Sequence, residues 1–344
     1  MRQSRYLAFV GTNAVKNSKG IYSVVIDGET FRPELVSTQW AYNAGGMAIS
    51  QERDILYAVT EGNTFHGYAD GGVTGFRFDN SGKLYELGWA RSHGQRTCCV
   101  SVDAAERNAY GANFISGTWV KWPLADDGAP LEAAYAIPSP GGPGARKALH
   151  CICPIGEKYV GVLSVTECAL IIYAVEDGRR ITSFEFPGGP FCRYLEVCGD
   201  CIYALMQDPG DIYVFRNHLE ENGTIAHIQT ISIQREKLEA YGTTTIRVTP
   251  DHRLMIAATR MTNSLTVFRV LPDGRLELSD VVTLPGETPR DFAISRDGAI
   301  IVTCLQKSDE ICIHEIDYEH ATLVYTGQKL ALPSPAAVVV TERR

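Results

Sequence analysis

No stretch of this 344-residue chain sustains the apolar period of an amphipathic helix. That excludes helical bundles and layered α/β folds as its main architecture. Long apolar runs are also missing: none approaches the ~18 residues that a membrane-spanning helix needs. Basic charge is in deficit, with 32 Lys and Arg against 40 Asp and Glu and a net charge of −8, which argues against a broad nucleic-acid-binding face. Cys198-Gly199-Asp200-Cys201 has CxxC spacing, but no second CxxC or Cys/His pair completes a zinc set. Gly199-Asp200 reads instead as a hairpin turn between strands 194–197 and 202–205. The start, Met1 to Arg5, has no secretory pattern and runs straight into an apolar segment at Tyr6–Val10. The ten cysteines form no disulfide-scaffold pattern, so the chain is expected in a reducing, cytoplasmic compartment, with most thiols as small core residues.

What the chain does contain is a repeat. The segments Gly46–Ile49, Cys99–Val102, His150–Cys153, Tyr194–Val197, Thr245–Val248, Asp291–Ile294 and Ala337–Val340 share one apolar strand pattern and end 44–53 residues apart. A period of about 40–50 residues with several short strands per unit is that of a β-propeller. The fold class is therefore all-β, a seven-bladed propeller forming a single domain over 1–344. Unit six is the clearest. Its runs Thr243–Val248, Leu254–Ala258, Leu265–Val270 and Leu276–Thr283 are separated by Thr249–His252, Arg260–Asn263 and Pro272–Gly274.

The ends of the chain complement each other. Strands Tyr6–Val10, Gly20–Ile26 and Leu35–Trp40 lack an inner strand, and Ala336–Val340 is an inner strand with no blade behind it. Their pairing is expected to close the ring and remove an open edge. The Gly-rich connections 63–72 and 138–147 are expected to project over one face, and 341–344 to fray.

In such a ring, two positions per blade look at the axis: the start of the inner strand, and the turn between the second and third strands. The first set contains Asn43, Cys98, His150, Arg193, Thr243 and Arg290; the second contains Glu61, Phe114, Ser164, Gln207, Arg260 and Gln306. Three guanidiniums around one funnel suit a carboxylate or phosphate, and a histidine beside them suits proton transfer near neutral pH. Arginine at strand starts also bridges blades, so residue type alone leaves both readings open. The axial positions carry too few carboxylates and too few histidines for a hard cation. No metal or cofactor is expected.

Several segments carry a resemblance: Val10-Gly11-Thr12 with Lys19-Gly20-Ile21-Tyr22, Leu56 to Glu61, Val100 to Asp103 with Gly111-Ala112-Asn113, Thr288 to Ala293, and Pro333-Ser334-Pro335. Across nearly its whole length the chain resembles the seven-bladed lactonase family. This family includes propeller-type 6-phosphogluconolactonases and the fungal carboxymuconate-lactonizing enzyme. The resemblance implies a site of one histidine, two arginines and one glutamate. His150, Arg193 and Arg260 match the first three. The glutamate falls on Gln207, which cannot act as acid or base. Cys99 departs from a family Cys-His-Leu pattern.

The resemblance implies a metal-independent hydrolase of an anionic sugar lactone, with 6-phosphogluconolactone as substrate. His150 would activate water, with Arg193 and Arg260 as anchors and Gln207 orienting substrate or water. Arg290, Glu61, Gln306 and Asn113 are the expected substrate contacts. Two alternatives stand beside it: lactonisation of an unsaturated dicarboxylate, and a non-catalytic propeller that binds a metabolite or protein. The expected partner is a small anionic lactone or carboxylate, with neither nucleic acid nor membrane.

Overall fold

Short apolar runs cut by Gly, Asn, Asp and Pro turns leave the chain little choice but antiparallel strands. The computed structural model describes residues 3–50, 52–61, 70–139, 148–235 and 241–342. It shows seven four-stranded antiparallel sheets and one short helix, Leu219–Asn222. Blades 2 to 7 each run in chain order from inner to outer strand, with inner strands Met47–Ser50, Thr97–Val102, Leu149–Ile155, Cys192–Cys198, Thr243–Val248 and Pro289–Ile294. Blade 1 is composite. Its inner strand is the C-terminal Pro335–Glu342, paired antiparallel with Arg5–Thr12, so the ring closes as expected.

The core is divided among the seven blade interfaces. Each apolar cluster joins two neighbouring blades, for example Trp122 and Val100 of blade 3 with Tyr57 and Val73 of blade 2. The cluster of Tyr6, Val24, Val338 and Ile300 joins blade 1 to blade 7. Second strands are therefore covered on both faces; Ile55–Thr60 is buried at every position. That is why they read as continuous apolar runs and not as alternating ones. Outer strands such as Thr322–Ala331 have only one covered face and alternate.

Two expectations need adjustment. Thr341 and Glu342 do not fray but pair with Leu7 and Tyr6, because the closing strand extends to the bottom of blade 1; 343–344 lie outside the described residues. Most of the two long connections, 63–69 and 140–147, also lies outside them. Among the described residues, Gly72 already starts a strand and Pro138 still ends one. Gly199-Asp200 is the hairpin turn, with Cys198 opposite Cys201 and Gly199 at φ 55°. No helix among the described residues is long and apolar enough to cross a membrane.

One core residue makes the fold sensitive to acid. His314, on the third strand of blade 7, is fully buried and its Nε2 has no hydrogen-bond partner. Burial pushes its imidazole down to about 4. The unfolded chain then takes up a proton near 6.5 that the folded chain refuses until about 4. Stability is lost as pH falls through that window, by about 3 kcal/mol for a shift of this size. His314→Leu is expected to narrow the gap between unfolding midpoints at pH 7 and pH 4. An unchanged gap would clear His314 of this role.

Candidate active site

All seven inner strands contribute to one cavity of about 180 Å3 on the ring axis. Its wall shows how the strands reach it. In blades 3, 4, 5, 6 and 7 the pairing of inner and second strand slips at the top, between Thr97/Cys99, Leu149/Cys151, Cys192/Tyr194, Thr243/Ile246 and Pro289/Asp291. A β-bulge inserts unpaired residues and re-aims side chains. Regular alternation sends only every second side chain to the axis. Here consecutive residues line the cavity together: Cys98 with Cys99, His150 with Cys151, Arg193 with Tyr194, Thr244 with Thr245, and Arg290 with Asp291.

The upper wall holds His150, Glu61, Arg193, Arg290, Arg96, Phe114 and Phe191. The His150 ring meets Phe114 and Phe191 edge-on, at centroid distances of 5.7 and 6.0 Å. Burial, then the charges of Arg193 and Arg290, hold its imidazole well below the usual range. At neutral pH the imidazole is uncharged. Burial raises the Glu61 carboxyl above its ordinary value, against the pull of Arg96, Arg290 and Arg193. Gly45 makes room for it, since a Cβ there would come within 2.5 Å of Glu61 Oε1.

Below this tier Arg247 lies over the Tyr194 ring, with its guanidinium carbon 4.6 Å from the centroid, and donates to the Tyr194 hydroxyl. It stands 3.9 Å from Glu196 and 3.8 Å from Asp291. Burial pushes the Glu196 carboxyl up to about 8 and the Asp291 carboxyl above its usual range. Asp291 also accepts from Thr245 Oγ1 at 3.1 Å and from the Val338 amide at 3.0 Å.

The charge balance of the wall is uneven. Arg96 pairs with Glu61 at 3.5 Å, and Arg247 pairs with Asp291. No carboxylate among the described residues lies within 4 Å of the Arg193 or Arg290 guanidinium. Arg193 is only 8% exposed, and its Nε has no partner in the protein. Burial and the neighbouring charges of Arg290 and Arg260 press its pKa well down. Such a group is stabilised when an anion arrives.

Gln207 and Arg260 stand beside Arg193 and not in the wall. Arg193 Nη1 donates to Gln207 Oε1 at 3.2 Å, and Gln207 Nε2 donates to Asp208 Oδ2 at 3.4 Å. Asp208 Oδ1 accepts from the amides of Tyr241 and Gly242, and Arg260 Nε donates to the Gly242 carbonyl at 2.8 Å. Gln207 therefore holds an arginine in place through a neutral acceptor.

Other expected axial residues are elsewhere. Asn113 is fully buried in blade 3, its side chain bonded to Thr97, Thr118 and the Ser92 carbonyl, so it is a blade tie and not a substrate contact. Gln306 is outside the cavity wall, in the turn whose amide donates to the Thr288 carbonyl. Thr243 is buried on Met206, and its place at the axis is taken by Thr244 and Thr245. Asn43 accepts from the Ala14 amide, and Ser164 is buried against Ser139. Arg96, Phe191, Tyr194, Arg247 and Asp291 are wall residues that reading strand starts alone does not find.

The sequence profile described as "Lactonase, 7-bladed beta-propeller" matches residues 7–340. A Bacillus subtilis (strain 168) protein named 6-phosphogluconolactonase is 26% identical over 349 residues, 97% of this chain and 98% of that protein. An uncharacterised protein of Lactococcus lactis subsp. cremoris is 26% identical over 344 residues, 94% of this chain and 95% of its own. Among solved structures, the periplasmic gluconolactonase of Pseudomonas aeruginosa superimposes with a TM-score of 0.89 at 21% identity, covering 98% of this chain and 99% of that one. With the ring, its closure and a matching profile over almost its full length, this chain belongs to the seven-bladed β-propeller lactonase family.

Proposed function

We propose that this lactonase hydrolyses an anionic sugar lactone of the 6-phosphogluconolactone type without a metal ion. The observation that carries the reading is the pair Arg193 and Arg290, cationic, facing one cavity and with no carboxylate within 4 Å among the described residues. The name of the Bacillus subtilis relative supports the substrate class.

His150 is the base. Its neutral imidazole takes a proton from water as the water attacks the lactone carbonyl. Arg193 donates to the oxyanion of the tetrahedral intermediate, where fixed donors are worth most. The protonated imidazole then returns the proton to the ring oxygen as the C–O bond breaks. Arg290 holds the phosphate. Binding an anion offsets the field that keeps His150 neutral, so the imidazole accepts its proton more readily with substrate in place.

The test is acid release from freshly made 6-phosphoglucono-δ-lactone and from plain glucono-δ-lactone, each above its spontaneous rate. Selective acceleration of the phosphorylated lactone is expected. Acceleration of neither would overturn the reading.

Gln207 gives a sharper check. A carboxylate at this position would neutralise Arg193. Gln207→Glu is expected to lower kcat for the phosphorylated lactone roughly tenfold, in line with the loss of one charge-assisted contact to the oxyanion. It should also move the acid limb of kcat/KM upward, because less positive field would reach His150. An unchanged kcat would mean that Arg193 does not meet the oxyanion.

A further inference from the structure

Three thiols stand in the cavity wall, Cys98, Cys99 and Cys151, and none has a part in this chemistry. Cys99 and Cys151 sit on the adjacent inner strands of blades 3 and 4, at the ends of their two bulges. Their sulfurs are 3.8 Å apart and both line the cavity. Cys99 Sγ also lies 3.7 Å from the Ile152 carbonyl. The third wall thiol, Cys98, faces the Ala112, Leu149 and His150 carbonyls and not another sulfur. Cys192, Cys201, Cys304 and Cys312 are buried inside blades, and all ten cysteines are free.

We propose that Cys99 and Cys151 are a redox-active dithiol site, taking small hydroperoxides that enter through the lactone cavity and closing to a disulfide between blades 3 and 4. Two observations carry it: the facing sulfurs, and the open cavity that gives a small oxidant access to groups the blades would otherwise enclose. The surroundings favour ionisation of one member. The Cys151 thiol, then the Ile152 backbone and the Arg247 charge, hold the Cys99 thiol below its ordinary range against burial and the Asp291 charge, while Cys151 is pushed up. The thiolate is the reactive form of the pair.

The steps balance. The Cys99 thiolate attacks the terminal oxygen of the hydroperoxide; an S–O bond forms, the O–O bond breaks, and the alkoxide leaves with a proton as alcohol. Cys151 sulfur then attacks Cys99 sulfur; the S–S bond forms, the S–O bond breaks, and hydroxide leaves as water with the Cys151 proton. Two thiols lose two electrons and the peroxide gains them. Closure brings the sulfurs to about 2.05 Å. That pulls on Cys151, the immediate neighbour of His150, and a shift of about 1 Å in a catalytic group can cost on the order of 100-fold. Only this consequence for turnover rests on the lactonase reading.

The experiment treats the reduced protein with a small excess of tert-butyl hydroperoxide. It counts thiols before and after dithiothreitol, and maps linked peptides by mass spectrometry. The expected result is the loss of two thiols, one linked peptide pair containing residues 99 and 151, and full recovery on reduction. Cys99→Ser and Cys151→Ser should each abolish the link, and Cys198→Ser should leave it. No link, a link at Cys198–Cys201 alone, or oxidation to sulfonic acid without a link would overturn the site. In the lactone assay, linked protein should lose at least tenfold in kcat/KM, reversibly. Full turnover in fully linked protein would overturn the coupling. Absence of turnover in reduced protein would count against the lactonase reading and leave the dithiol standing on its mass readout.

Discussion

His150→Ala is expected to lower kcat for lactone hydrolysis by about 100- to 10,000-fold, the usual contribution of a general acid–base group, with the unfolding midpoint nearly unchanged. Both parts follow from its place. The imidazole lines the cavity, and its ring contacts are edge-on with Phe114 and Phe191. Trimming it enlarges a space that is already open and strips no blade interface. The loss should fall mainly on kcat, since the arginines that hold the anion remain. The wild-type pH profile gives the matching signature. A base must be unprotonated, and burial with Arg193 and Arg290 holds this one well below the ordinary imidazole range. Activity should stay level through neutral pH and fall only when pH drops through that lowered value. His150→Gln should keep the fold and lose the acid limb with the activity. A variant with wild-type kcat would remove His150 from the chemistry.

Deleting the chain from Pro335 onward is expected to abolish cooperative unfolding altogether. The lost strand is the inner strand of blade 1, paired along Tyr6 to Thr12. Without it the backbone groups of the first strand become an open edge. The cluster joining blades 1 and 7 loses Val338 and Val340, and Asp291 loses the Val338 amide. A strand added in trans can replace such a partner. A peptide of residues 333–344, supplied to the truncated protein, should restore a sharp thermal transition and lactone turnover together. A truncated protein that melts cooperatively without the peptide would show that the ring holds without its clasp.

The ring was readable from the chain because each blade repeats a physical necessity. Second strands such as Ile55–Thr60 are covered on both faces and must be apolar throughout; the turns between them must carry Gly, Asp or Asn. His150, Arg193, Arg290 and Glu61 were readable for the same reason, since strand starts and inner turns converge on the axis. The bulges were not readable. They insert residues without a composition of their own, so taking the start of the strand places Thr243 at the axis where Thr244 and Thr245 stand. It also misses Asp291 and Tyr194. Arg96 comes from the segment ahead of its strand, in a left-handed conformation at φ 60°. Asn113 was misplaced because its amide finds three buried partners, Thr97 and Thr118 in blade 3 and the Ser92 carbonyl in the connection ahead of it. No spacing rule shows that.

The slips at the tops of five inner strands have an evolutionary consequence. Below each slip the pairing resumes, so the core side chains keep their partners whatever stands above. Positions such as 150 and 290, which line the cavity and belong to none of the apolar clusters between blades, can exchange residue types at little expense to blade packing. A ring built this way separates what it is made of from what it reacts with. Its relatives can diverge in substrate while remaining the same object, and identity near one quarter can coexist with near-complete coverage.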